Sequence, residues 1–300
     1  MDTIGTTQPP RPAKRRRTEE QRAADRAVLS STFERAARVL LPVLVILGLL
    51  GAWELAVQSQ RTPPAALPAP SLILEALVQH HESLAPAWWY SARITLLGLA
   101  FAAATGVLLA TAFALSRWVA MALGPIVLAL QITPVVAFAP LLLLQVDPTP
   151  SALVACVALV ALHPVLSGTA ASLARVDFHL RELYALYGAS PWQRLHLLLA
   201  PSALPGFAHG LKLAAGLAPA AAVAAEFVAA WVLGPGARPA GLAARLLLAL
   251  QGRDVAVLWA TLVLAVLLGL VFFGLAALLS RVLVGSWHVP AGGRPGAVAR

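Results

Sequence analysis

Cysteine, lysine and charge are all scarce in this chain, and each shortage removes a class of function. Cys156 is the single cysteine among 300 residues, so neither a disulfide framework nor a thiolate metal site can be built within one chain. Only two lysines occur, Lys14 before Arg15 and Lys212 before Leu213. A phosphate-cradling loop needs a Lys followed by Ser or Thr, so neither can belong to one, and energy must come from another polypeptide or an ion gradient. The seven histidines are spread without ligand spacing, which leaves no metal site to expect. Charged residues make up 12% of the chain, against roughly 25% in an average soluble domain.

What replaces charge is hydrocarbon, at 59% of residues. A soluble fold cannot hide that much apolar surface, and several runs exceed the roughly 20 residues that cross a bilayer. Six spans are expected, at 40–57, 94–115, 121–144, 151–173, 207–233 and 255–284. Pro42, Pro134, Pro140, Pro164 and Pro219 fall inside them, as do Gly106, Gly216 and Gly269, predicting kinked helices and close helix contacts. No continuous strand pattern is visible. Polar connections remain at 58–93, 174–206 and 234–254.

The formal charge of +9 is concentrated rather than general, because nine of the 22 basic residues precede residue 39. Topology explains them better than nucleic acid does. With the N-terminus inside, the inner segments hold 17 basic residues and the outer ones five, as expected if Lys and Arg accumulate in the cytoplasm. Both termini and the 174–206 connection then face the cytoplasm of a bacterial inner (plasma) membrane. Residues 1–37 read as a basic, largely disordered tail in which Lys14 and Arg15–Arg17 precede a capping box opened by Thr18. That polar stretch argues against a signal peptide, and the cluster is placed to touch anionic membrane lipid. Residues 288–300 form a short second tail.

The 182–206 segment, ELYALYGASPWQRLHLLLAPSALPG, predicts a helix-turn-helix knob. Glu182, Tyr184 and Tyr187 lie on a short helix broken at Gly188. Ser190 caps a second helix, with Pro191 at its first position and Gln193 completing a capping box. Pro201 and Pro205 are expected to bend the chain into the next span. Glu182, Gly188, Ala189, Leu204 and Pro205, with Gly206 following, resemble the signature of the permease family of binding-protein-dependent ABC importers. Leu183, Tyr184 and Tyr187 depart from its usual Ala, Ala and Leu.

That resemblance implies an all-α integral membrane protein of the type I importer kind, with six transmembrane helices and a permease domain over 38–287. It implies a non-catalytic subunit without a cofactor of its own, ATP being bound by partner ATPase subunits. A second permease subunit, giving a homodimer, and a periplasmic or lipid-anchored substrate-binding protein complete the assembly. Glu182, Gly188, Ala189, Ser190, Leu204 and Pro205 would form the ATPase-coupling contact. Pro68, Pro70 and Ser71, Thr133 and Pro134 with Ala139 and Pro140, and Ala225, Glu226 and Phe227 are similar to the branch serving nitrate, sulfonate, taurine and hydroxymethylpyrimidine-type solutes. Residues 131–145 and 221–230 lean toward a pyrimidine-like thiamine precursor. Glu226, about 10 Å inside the membrane by helical rise, either lines the solute path or is hydrogen-bonded between packed helices; Thr133 and Gln131 are further path candidates. An ion-coupled secondary transporter and a non-transporting membrane scaffold are the alternative readings.

Overall fold

A computed structural model of the chain describes residues 37–38, 40–59, 67–147, 149–234 and 240–285. The basic cluster at 14–17, the capping box at 18–21 and the 288–300 tail lie outside the described residues. Two units are distinguished, Met1–Pro63 with Ala69–Ser71, and Pro64–Pro68 with Leu72–Arg300. In the first, α1 (Leu40–Ser59) exposes Leu44, Leu47 and Leu55 along its length, as a helix bathed by lipid does.

The second unit carries the helical bundle, and among its described residues there is no strand. Its elements are α2 (Pro70–Gln79, of which Leu72 onward belongs to this unit), α3 (His81–Leu115), α4 (Arg117–Ile132), α5 (Val135–Gln145), α6 (Thr149–Ala174), α7 (Phe178–Leu186), α8 (Pro191–Arg194), α9 (Ala200–Val232), α10 (Leu242–Gln251) and α11 (Val255–Gly285). α6 lies at the centre, packed against α3 and α9, and α9 packs in turn against α11. The buried faces are built from small residues, such as Ala161 on α6 and Ala214, Ala218 and Ala222 on α9. Lipid tails are as apolar as Leu, so helices in a bilayer associate through close packing rather than hydrophobic burial. At the α6–α9 crossing, a Cβ on Gly206 would collide with the Gly168 carbonyl oxygen and the Ser172 side chain. A Cβ on Gly210 would meet the Pro164 carbonyl oxygen. Buried Thr95 and Thr169 return their hydroxyls to the Ser91 and Val165 carbonyl oxygens at 2.8 and 2.7 Å, so they need no partner across the interface.

Among the described residues, five helices are long and apolar enough to cross a membrane: α1, α3, α6, the Pro191–Val232 helix and α11. The third expected span, 121–144, is not one helix. α4 and α5 are bent by 105° at their junction, and only if the bent pair is counted as one broken span does the number of apolar crossings reach six. A proline disfavours the helical region for the residue before it, and before Pro134 the chain leaves it, Thr133 taking φ −81° and ψ 125°. Its hydroxyl donates to the Ala129 carbonyl oxygen at 2.9 Å, closing the end of α4.

Three further expectations are corrected. The 58–93 connection contains α2 and the first turns of α3, and the 234–254 connection contains α10. Pro201 and Pro205 do not interrupt the helix, because α8 and α9 are joined through one wide π-helical stretch, Leu195–Leu199, into a continuous Pro191–Val232 helix. There the Ala200 N–H donates to the Leu195 carbonyl oxygen five residues back, which absorbs the register change that a proline lacking its N–H demands. Of the singled-out glycines, Gly106 does mediate a helix contact, with Val165. Gly216 and Gly269 do not, since a Cβ would meet only Phe273 Cδ2 at 3.6 Å at the first and nothing at the second.

Candidate functional site

The knob is fixed by local rules at each of its joints. Asp177 caps α7 by accepting the His179 N–H at 2.9 Å. Gly188 sits at φ +67°, the left-handed C-terminal position that glycine takes without penalty. Its N–H donates to the Ala185 carbonyl oxygen at 3.0 Å, and the Ala189 N–H donates to that of Tyr184 at 2.9 Å. These two bonds are the complete Schellman pairing. Immediately afterwards, Ser190 Oγ accepts the Gln193 N–H at 3.2 Å while Gln193 Oε1 accepts the Ser190 N–H at 2.8 Å. The expected capping box is thus present, with Pro191 in the first turn. Such a cap contributes about 1 kcal/mol, which matters because α7, at nine residues, is too short to hold its shape alone.

Two arginines missed by sequence reasoning brace the knob. Arg181 Nη2 donates to the Leu173 carbonyl oxygen at 2.5 Å, in the last turn of α6, and Arg194 Nε donates to the Ala189 carbonyl oxygen at 3.0 Å. Their apolar neighbours are left outside: Leu186, Tyr187 and Trp192 are 84%, 82% and 70% exposed. Glu182 is exposed on α7, whereas Leu204 and Pro205 are half-buried in α9. They line a hollow of about 530 Å³ with Ser172 and Leu180. The six coupling candidates therefore divide between a projecting tip and the base that carries it.

A second cluster forms at the other end of α9. Glu226 is 5% exposed. Its Oε2 accepts the Ser91 hydroxyl at 2.9 Å and the Ala243 N–H at 3.4 Å, while Ser91 Oγ accepts the Leu242 N–H at 3.0 Å. These amides open α10, whose first four N–H groups have no partner in their own helix and favour a negative charge. Gly241, the N-cap, lies so close that any Cβ there would collide with the carboxyl group. Oε1 has no hydrogen-bond partner among the described residues. Nothing in the sequence marked Ser91 or Gly241: the first lies 135 positions from Glu226, and the second caps a different helix, α10. Gln131 and Thr133 lie apart from this cluster, lining a hollow of about 200 Å³ at the α4–α5 break with Phe138, Pro164 and Leu217.

Residues 102–284 match the family described as the binding-protein-dependent transport system inner membrane component. The chain belongs to that family. It is an ABC importer permease subunit, and its apolar helices and multi-pass fold are those of a membrane protein. The permease is 34% identical over 168 residues to the riboflavin transport system permease protein RibX of Chloroflexus aurantiacus, covering 56% of this chain and 60% of that one. It is 30% identical over 201 residues to the formylaminopyrimidine transport permease protein ThiX of Halalkalibacterium halodurans, covering 66% and 79%. To the nitrate import permease protein NrtB of Synechococcus elongatus it is 26% identical over 134 residues, covering 45% and 48%.

The Glu226 geometry sets an expected result for the permease. Glu226→Leu strands the Ser91 hydroxyl and the Ala243 amide, and each unsatisfied buried group costs about 1–3 kcal/mol. Glu226→Gln keeps an acceptor in place. Detergent-extracted yield measured by size-exclusion chromatography should fall for Leu and hold for Gln; equal yields for Leu and wild type would show that the α10 terminus does not depend on this carboxylate.

Proposed function

We propose that the permease couples to a separate ATP-binding-cassette ATPase through the knob at 182–206, with the knob and both termini in the cytoplasm. The carrying observation is the knob itself. Its backbone is locked by a Schellman pairing and a capping box, yet it leaves Leu186, Tyr187 and Trp192 outside. Rigid exposed aromatic and aliphatic side chains are what a partner groove takes. Glu182 and Gly188–Ser190 form the tip of this contact, and Leu204 and Pro205 its seat.

The rod from Pro191 to Val232, 42 residues without a break, is about 60 Å long by helical rise. A displacement of the knob by ATPase closure therefore travels along one helix into the bundle, where it biases two packings of the same elements. A second copy of the chain encloses the path, and a periplasmic or lipid-anchored binding protein delivers the solute to the opposite face. Thr133 and Gln131, at the α4–α5 break, border that path. Glu226 acts as the brace for α10. The solute is a small organic or anionic molecule, in keeping with the riboflavin, formylaminopyrimidine and nitrate named for the relatives.

The test is to purify the tagged permease after co-expression with its ATPase and binding protein. ATP-dependent accumulation of solute in proteoliposomes supports the reading, and a permease that retains no ATPase refutes it. Topology gives a separate check. Reporter fusions after Arg117 and Arg194 should report cytoplasm, and fusions near Pro68 and at 239 should report the opposite side; an outside signal at Arg194 would put the knob beyond reach of any ATPase.

A further inference from the structure

Between the knob and the bundle, one turn of helix holds a surplus residue. At Leu195–Leu199 the chain is wound as π-helix, and the Ala200 N–H donates to the Leu195 carbonyl oxygen rather than to that of His196. Such single wide turns are rare inside α-helices and gather at functional sites. Proline decides where the surplus can go. Moving the wide turn one residue toward α9 would require Pro201 to donate an N–H to His196, and proline has none. On the other side the Leu195 N–H is shared between the Pro191 and Trp192 carbonyl oxygens, so the helix there is tightly wound and keeps every amide donor it needs. The surplus can therefore leave only toward α8 and the knob.

The turn also has room to rewind. A hollow of about 240 Å³ lies beside it, lined by Leu195, Leu199 and Ala203 of this helix, by Thr111 of α3 and by Thr169 and Leu173 of α6. Leu195 is half-buried against it, while His196 is exposed. If the Ala200 N–H takes the His196 carbonyl oxygen instead, each residue before it shifts by one helical position relative to α9. His196 then arrives where Leu195 stood, and Leu195 where Arg194 stood. The His196 ring is stacked on Trp192 with centroids 6.2 Å apart, so the two turn together by about 100° at 3.6 residues per turn. A side-chain tip about 5 Å from the helix axis moves by about 8 Å in such a turn.

We propose that the wide turn at Leu195–Leu199 is a register switch between the knob and the bundle. ATPase closure draws the surplus residue into the knob, the turn rewinds as α-helix, and His196 takes the place that Leu195 holds at rest. Pro201 is the positioning residue, because it sends the surplus toward the knob and leaves α9 in register with α6. Leu195 fits the apolar hollow better than His196 does, so the wide turn is the resting state and returns when the ATPase opens. The proposal rests on the coupling reading and adds a step to it: a change between two discrete windings, in place of a rigid push along the helix.

The exchange of places can be read by thiol labelling. In a Cys156→Ala background, which removes the single native thiol, Leu195→Cys and His196→Cys are made separately. Nanodiscs holding the full transporter are treated with a sulfonated maleimide, nucleotide-free and vanadate-trapped. At rest the thiol at 196 should react several-fold faster than that at 195, and trapping should reverse the order. Because the readout is a ratio of neighbouring positions, general shielding by the ATPase drops out. An order that stays the same in transporter that has trapped nucleotide overturns the proposal and leaves the wide turn as a static adjustment to Pro201. Pro201→Ala supplies the missing N–H and lets the turn move toward α9. Abundance and bound ATPase should hold, while the reversal disappears and uptake falls several-fold; full uptake without the reversal would show that transport does not use the turn. Purified permease that retains no ATPase refutes the coupling reading and this step with it, whereas bound ATPase with an unreversed order refutes this step alone.

Discussion

Gly188→Val should leave the permease in the membrane at normal abundance and strip it of its ATPase. Gly188 is at φ +67°, and a Cβ added there would meet nothing within 4 Å. The penalty is therefore one of backbone conformation alone. A β-branched residue forced into that region costs about 1–3 kcal/mol. The cost falls on the Schellman pairing that turns α7 into α8, since the residue lies outside the apolar spans. Relaxing it re-aims Tyr187 and Trp192 relative to each other, which is enough to spoil a rigid contact. Gly188→Asn is the control, because Asn tolerates the left-handed region. Co-purified ATPase and solute-stimulated ATP hydrolysis should be lost in Val and largely kept in Asn. Hydrolysis and uptake unchanged in Val would remove the knob from the mechanism.

Gly206→Leu should lose the folded protein itself. The Cβ would strike the Gly168 carbonyl oxygen and Ser172, and a backbone oxygen cannot move aside as a flexible side chain can. α6 and α9 would have to separate, breaking the packing that centres the bundle. Overpacking a close contact costs about 1–3 kcal/mol, and at this crossing the loss extends along both helices. Gly274→Val is the matched control, since nothing lies within 4 Å of its added Cβ. Monodisperse yield after detergent extraction should fall several-fold for Gly206→Leu and stay near wild type for Gly274→Val. Equal yields would mean that the α6–α9 crossing can relax without cost.

The two substitutions differ in how far their rationale could be read from sequence. Around Gly188 every deciding bond spans three to five positions, from Ala189 back to Tyr184 and from Ser190 to Gln193. Glycine, serine, proline and glutamine at those offsets are enough to announce such bonds. The apolar spans are legible for a similar reason, because insertion depends on the length and composition of a single segment. The family resemblance also rested on this local stretch, and the family match agrees with it.

Where the chain met itself at long range, sequence was silent or misleading. Pro201 and Pro205 look like bends, yet a π-helical stretch lets the rod continue through them; whether a helix breaks or widens depends on the partners packed along it. Pro134 does break its helix, and only the folded chain set the angle at 105°. Glu226 could be recognised as a carboxylate too deep to be left alone, but its partners, Ser91 and the first amides of α10, came from segments that only folding brought together. Lys212 was counted with the basic residues of the inner segments from its position along one helix, and folding sets its ammonium 5.0 Å from the centre of the Phe273 ring. Its place against Phe273 depends on the register of α9 against α11. That register is set by side-chain packing between surfaces that no local pattern describes.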